Sequence, residues 1–178
     1  PTTNSGYGIG KKDDFCTEKS PLRPVSLYGQ TKVTAEKIIL NHNNSCSLRL
    51  ATVFGTSPRM RRDLLVNDFV YKAFKYKKII LFEGHFRRNY IHINDVCRVF
   101  LFAIKNFHKF KNNIFNVGLS SANLTKNELC KKIKKHVPNL QIEVDEFTKD
   151  PDKRDYIVSN EKLEKTGFKT KYSIDYGI

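Results

Sequence analysis

The sequence predicts an α/β fold, on three observations. Short apolar runs rich in β-branched and aromatic residues alternate with longer amphipathic stretches along the chain. Helix-start residues precede several of the long stretches, as where Thr125 is followed three residues on by Glu128. Glycine follows several of the short runs. The 178 residues suffice for one ordinary domain or most of one, and 39% of them are hydrophobic. That composition excludes a disordered tail, a collagen-like fibre and a small disulfide scaffold.

The elements follow in order. Residues 1–25 carry Gly6, Gly8, Gly10, Pro21 and Pro24 and read as a loop after a strand whose body precedes Pro1. Ser26–His42 reads as a helix, and Ser47–Phe54 as one buried strand ending at Gly55. Asp63–Tyr76 is expected to be an amphipathic helix with Leu64, Leu65, Val66, Phe69, Val70 and Phe74 on its apolar face. Ile79–Phe82 and Arg88–Ile91 read as short strands joined through Gly84. Asn94–Asn106 is expected to be an apolar helix capped by Asn94, with Val96, Val99, Phe100, Phe102, Ala103 and Ile104 facing in. Ile114–Val117 reads as a strand, Thr125–Val137 as a helix and Leu140–Val144 as a strand. Asn160–Thr166 is a short helix stopped by Gly167, and a further helical turn begins near Ile178.

Lysine plus arginine number 32 against 18 acidic residues, a net charge of +14. The clusters are Arg59-Met60-Arg61-Arg62, Lys75 to Lys78, and Lys131 to Lys135. The last leaves Ile133 facing in and reads as a solvated helix face. No aromatic-basic RNA motif or helix-turn-helix signature accompanies them, so nucleic acid is not the expected partner. An anionic small molecule exploits positive charge equally well. Cys16, Cys46, Cys97 and Cys130 are far apart and form no Cys/His cluster. They read as free thiols in a reducing, cytoplasmic compartment, with no metal site. No apolar run approaches the roughly 20 residues of a membrane helix, so no membrane partner is expected.

Tyr28-Gly29-Gln30-Thr31-Lys32 is the informative segment. On a helix Tyr28 and Lys32 share one face. A tyrosine is a poor base at neutral pH, and bringing its pKa near 7 takes roughly 4 kcal/mol of phenolate stabilisation. An ammonium one turn away supplies part of that. The pair alone is common by chance and by itself reads more readily as an exposed helix pair.

Its neighbours decide between the two. Pro1-Thr2-Thr3-Asn4-Ser5-Gly6-Tyr7-Gly8 precedes it, and Leu48-Arg49-Leu50-Ala51-Thr52-Val53-Phe54-Gly55 follows. Arg88-Asn89-Tyr90-Ile91-His92-Ile93-Asn94-Asp95-Val96 and Asn113-Ile114-Phe115-Asn116-Val117-Gly118 come later. This order resembles the extended short-chain dehydrogenase/reductase family of NAD-dependent nucleotide-sugar epimerases and dehydratases, over essentially the whole chain. The resemblance implies a partial Rossmann-type doubly wound parallel sheet plus a smaller α/β substrate-binding domain. Residues 1–58 would be the C-terminal part of the NAD-binding domain with the catalytic helix. Residues 59–178 would be mainly the substrate-binding region, with 88–118 returning to the Rossmann domain.

The resemblance also implies roles. Thr3 matches the hydroxyl residue that relays the substrate proton, with Thr2 a near-match that reads otherwise as a polar strand end. Tyr28 matches the catalytic acid/base, and Lys32 the partner that lowers its pKa and bonds the nicotinamide ribose. Ala51 matches a position touching the nicotinamide, and Thr52 one meeting the substrate. Arg88 matches a diphosphate-binding arginine, a job suited to a bidentate guanidinium. Arg154, in Asp150-Pro151-Asp152-Lys153-Arg154-Asp155-Tyr156, matches a second. His92 and Asp95 read as structural, Asp95 favouring the dipole of the helix it opens. Family members pair as homodimers through the Tyr/Lys helix and its neighbour, here Ser26–His42 and Asp63–Tyr76.

Two departures shape the expectation. Dehydratases of the family carry a glutamate where this chain has Ser5, which favours an epimerase working through a transient keto sugar. The Gly-rich strand-turn-helix that binds NAD is not in these residues, and Gly6-Tyr7-Gly8-Ile9-Gly10 cannot replace it, so a fragment of a longer enzyme is expected. NAD rather than NADP follows the family alone. The alternatives are a nucleotide-sugar dehydrogenase/reductase of the same fold and a non-catalytic remnant that binds a nucleotide or a protein partner.

Overall fold

The computed structural model describes residues 1–11, 13–149 and 153–178. The chain opens with strand β1 (Thr2–Thr3), a 3-10 turn over Asn4–Tyr7 and strand β2 (Phe15–Cys16). Helix α1 (Leu27–Leu40) leads to β3 (Cys46–Leu50) and β4 (Thr52–Phe54). Helix α2 (Leu65–Tyr76), strands β5 (Lys78–Leu81) and β6 (Arg87–His92), and helices α3 (Ile93–Lys105) and α4 (Phe107–Phe110) follow. The remainder is β7 (Asn113–Val117), a 3-10 turn at Ser120–Ala122, β8 (Asn123–Thr125), α5 (Lys126–His136), β9 (Gln141–Val144), β10 (Ile157–Val158), α6 (Glu161–Glu164) and α7 (Ile174–Gly177).

Two sheets position the site. β1, β3 and β7 run parallel in that order. β6 lies between β4, parallel to it, and β8, antiparallel. Parallel pairs β5–β9 and β2–β10 complete the strands. One apolar core joins Leu48, Val96, Val99, Ala103, Phe115 and Val117 beneath the β1-β3-β7 sheet. A second gathers Val66, Phe69, Ile79, Leu81, Leu129 and Ile133 between α2, β5 and α5. Each such buried side chain contributes roughly 1.5–3 kcal/mol.

Several boundaries differ from the sequence expectation for identifiable reasons. Ser47–Phe54 is two strands: at Ala51 the chain leaves the partners of β3, and Thr52 pairs instead with Tyr90. The strands on either side of Gly84 do not pair with each other, since β5 takes β9 and β6 takes β4 and β8. Residues 1–25 are not all loop, because β1 pairs with β3 and β2 with β10. Helix α3 is capped by His92, whose Nδ1 accepts from the Asn94 N–H at 3.2 Å; Asn94 lies inside the helix. Phe74 and Ile104 are exposed rather than inward, because the buried stripe of each helix is narrower than its apolar content. The Thr125–Glu128 capping box forms, and Ile133 is fully buried as expected.

Candidate active site

Three strand ends meet at one edge. Register sets Thr3 beside Leu50 and Leu50 beside Val117. Ala51 follows, its N–H donating to the Val117 carbonyl at 2.8 Å. Thr3 and Ala51 therefore lie at the carboxyl edge of parallel strands, where open α/β sheets bind ligands.

Helix α1 starts beside that edge. Ser26 caps it, its Oγ accepting from the Gly29 N–H at 3.1 Å. A Cβ on Gly29 would stand 2.9 Å from Pro24 Cβ and 3.3 Å from the Ser5 carbonyl oxygen. Ser5 in turn holds Thr3: its N–H donates to Thr3 Oγ1 at 3.1 Å, and the two hydroxyls are 3.0 Å apart. The glycine thus lets the helix bearing Tyr28 seat on the turn bearing Thr3. Tyr28 is 54% exposed, and Lys32, one turn further, is half-buried. Arg61 holds its charge above its ordinary range chiefly through its hydrogen bond to Asp63, with a smaller pull from Tyr28.

Asp63 belongs to the wall of a cavity of about 270 Å³, which also includes Thr52, Arg88, Arg154, Lys72 and Lys126. Arg88 is 4% exposed, with Nη1 donating to the Arg87 carbonyl at 2.9 Å. Arg154 lines the cavity and also donates from Nη1 to Ser5 Oγ, linking cavity and Thr3 turn. Leu64 and Leu65 bring the start of α2 to the wall, where Leu64 provides no side-chain cap. That end of the helix carries partial positive charge. The lining holds four cations and two carboxylates. Of the motif around Arg154, Asp150, Pro151 and Asp152 lie outside the described residues.

A buried polar network underlies α1. Glu36 and Arg49 are each nearly inaccessible and pair at 2.6 Å. Glu36 also accepts from Ser47 Oγ at 2.6 Å and Thr2 Oγ1 at 3.0 Å. Arg49 Nη1 donates to Tyr7 Oη at 3.0 Å, and Tyr7 donates to Asn116 Oδ1 at 2.6 Å. Burial raises the Glu36 carboxyl, but the hydrogen bonds from Arg49 and Ser47 outweigh it and leave the pKa lowered. Burial raises the Tyr7 phenol to about 12 in spite of Arg49. This tyrosine stays neutral and structural. The network ties α1 to β1, β3, β7 and the Thr3 turn, fixing where Tyr28 starts.

The structure thus brings Thr52, Arg88 and Arg154 to one cavity, and Thr3 and Ala51 to one strand edge. It puts Tyr28 and Lys32 on the adjoining helix. Sequence reasoning missed Lys126, Lys72 and Asp63 in the cavity wall, and the Glu36–Arg49 pair. His92 is structural as expected: it caps α3 and stacks on Tyr172 with centroids 5.0 Å apart. Asp95, wholly buried in the first turn of α3, also accepts the Lys171 and Tyr172 N–H groups.

The fold is that of known nucleotide-sugar enzymes. It superposes with TM-score 0.84 on the UDP-glucose 4-epimerase of Thermotoga maritima solved with UDP-glucose, at 24% identity, covering 99% of this chain and 59% of that one. It superposes with TM-score 0.83 on the dTDP-glucose 4,6-dehydratase of Bacillus anthracis solved with NAD, at 24% identity, covering 99% and 57%. An uncharacterized UDP-glucose epimerase of Bacillus subtilis is 31% identical over 103 residues, 54% of this chain and 31% of that protein. Residues 2–118 match the model of the NAD dependent epimerase/dehydratase family, and the chain belongs to that family. It spans little more than half the length of these solved relatives. No helix among the described residues is long and apolar enough to cross a membrane.

Proposed function

We propose that this chain carries the catalytic helix and substrate cleft of an NAD-dependent nucleotide-sugar epimerase. The observation that carries the reading is the single cavity uniting Thr52, Arg88 and Arg154, joined through Arg154 and Ser5 to Thr3. Arg88 and Arg154 hold the diphosphate, and Thr52 meets the sugar. Tyr28 takes the proton from a ring hydroxyl and later returns one, with Thr3 as the relay and Lys32 favouring the phenolate. The ordinary residue Ser5, where a dehydratase has glutamate, leaves no acid/base there for water elimination. In this reading residues 1–58 with 88–118 belong to the cofactor-binding domain, and the rest of 59–178 mainly to the substrate region. The α1 and α2 surfaces pair two copies in a homodimer.

The residues present fit the nicotinamide end of the cofactor. Tyr28 and Lys32 offer a phenol and an ammonium one turn apart on α1, the helix that packs on β1 and β3, and Ala51 follows the end of β3. Asn4, next to Thr3, has a buried amide that makes no hydrogen bond among the described residues. Tyr28, Lys32 and Ala51 would hold the ribose and ring. When bound, NAD supplies reversible hydride acceptance at the sugar carbon.

The test is incubation with UDP-glucose and NAD, followed by product analysis. Conversion to the 4-epimer without net absorbance at the NADH band, lost in Tyr28→Phe, supports an epimerase. Net NADH formation makes the protein a dehydrogenase instead. Bound but unaltered UDP-glucose in the presence of bound NAD contradicts both.

A further inference from the structure

A second cavity, of about 230 Å³, shares no lining residue with the cleft. Its lining comes entirely from residues 7–23, the segment that joins the Thr3 turn to α1. Backbone bonds fix that segment. The Arg23 N–H donates to the Gly6 carbonyl and the Gly10 N–H to the Asp155 carbonyl, each at 2.8 Å. Ser20 Oγ accepts from the Thr17 N–H at 2.9 Å, and Phe15 and Cys16 pair with Ile157 and Val158. The walls are thus set by the backbone.

Two features of the lining point to a ligand. Ile9 and Phe15 belong to it and are 57% and 55% exposed, so two large apolar side chains meet water at one place. Covering them is favourable. Lys11 and Arg23 belong to it as well, are exposed, and enter no ion pair among the described residues. Asp14 is the carboxylate of the lining. Burial, with Asp14 second, raises the Cys16 thiol, which stays protonated and adds no charge. Two cations against one carboxylate leave one positive charge beside an apolar wall.

We propose that this cavity binds a small aromatic monocarboxylate, its ring against Ile9, Phe15 and Pro21 and its carboxylate on Lys11 and Arg23. An apolar cavity of about 150 Å³ holds one benzene ring, so this one has room for a ring and a short acidic arm. The planar guanidinium of Arg23 matches the planar carboxylate. The proposal is independent of the nucleotide-sugar reading of the cleft.

Amide NMR of the chain, titrated with phenylacetate and with 2-phenylethanol, tests this. The alcohol keeps the ring and loses the charge. Phenylacetate is expected to shift the Gly10, Phe15 and Cys16 amide signals and to bind in the millimolar range, and the alcohol about tenfold more weakly. Arg23→Met should weaken phenylacetate about five- to tenfold and leave the alcohol unchanged. Asp14→Asn removes a like charge and should tighten phenylacetate about two- to fivefold. Both side chains are exposed, so neither change disturbs the core. Unmoved amides, or equal binding of acid and alcohol, overturn the proposal in the unsubstituted chain alone. Phenylacetate binding unchanged in Arg23→Met, or no tighter in Asp14→Asn, overturns the placement of its carboxylate and the proposal with it.

Discussion

Two buried charge clusters lie in this molecule, one under α1 and one around the cavity. Glu36 and Arg49 face each other directly, and Ser47, Thr2 and Tyr7 complete their hydrogen bonds. Opposite charges there neutralise each other, and nothing is left for a ligand to do. Around the cavity Arg88, Lys126, Arg154 and Lys72 instead share one lining with Asp63 and Asp68. The comparison teaches how to separate a scaffold from a site when both are buried and charged. In the scaffold one carboxylate meets one guanidinium in direct contact, whereas the cavity sets four cations and two carboxylates around a space.

Substitutions can break this comparison at either end. The largest effect is expected at the chemistry both clusters serve. Tyr28→Phe should lower epimerase turnover by about 10²–10⁴-fold. Its melting temperature should stay close to that of the unsubstituted chain, because the ring is half exposed. A turnover loss matched by a large drop in melting temperature would assign Tyr28 to the scaffold instead.

Next in size is the scaffold pair. Glu36→Gln strands the Arg49 charge in the interior and should cost about 3–5 kcal/mol of stability, read by denaturant unfolding. Adding Arg49→Met should recover part of that loss, since no unpaired charge then remains buried. A Glu36→Gln variant as stable as the parent would show that the pair is not closed.

Smaller still is the effect of acid. The Glu36 pKa is lowered on folding, so its contribution is fully present above the ordinary carboxylate range and is lost as pH falls through the folded value. His92 is lowered as well, mainly by burial, against the pull of Asp95. Its neutral form is the one that accepts from Asn94, so its contribution is lost first, as pH falls below the ordinary histidine value. Melting temperature should therefore decline in two stages on acidification, and His92→Gln should remove the earlier one.

Much of this was legible in the sequence because it is local. The Thr125–Glu128 box, the inward Ile133 and the i, i+4 spacing of Tyr28 and Lys32 follow from helical geometry alone. Arg88 and Arg154 were singled out by the resemblance alone, and both line one cavity although 66 positions of chain separate them. What escaped depends on partners distant in sequence. The Ser47–Phe54 run gives no sign that Ala51 is where the chain changes sheets. Glu36 on a helix reads as solvated until β3 brings Arg49 against it. Lys126 resembles its exposed lysine neighbours, and its one local signal was a cation at the first position of a helix, where an acid or an apolar residue is favoured. His92 escaped as a cap because the usual capping residues are Ser, Thr, Asp and Asn.

The most direct test of the contrast is the melting temperature of three proteins with and without saturating UDP. A ligand at 100 times its Kd adds about 2.7 kcal/mol of stability. The unsubstituted chain should gain such an increment. Arg88→Met should lose it, and Glu36→Gln should melt lower yet keep it. A full UDP increment in Arg88→Met, or its loss in Glu36→Gln alone, would contradict the division into scaffold and site.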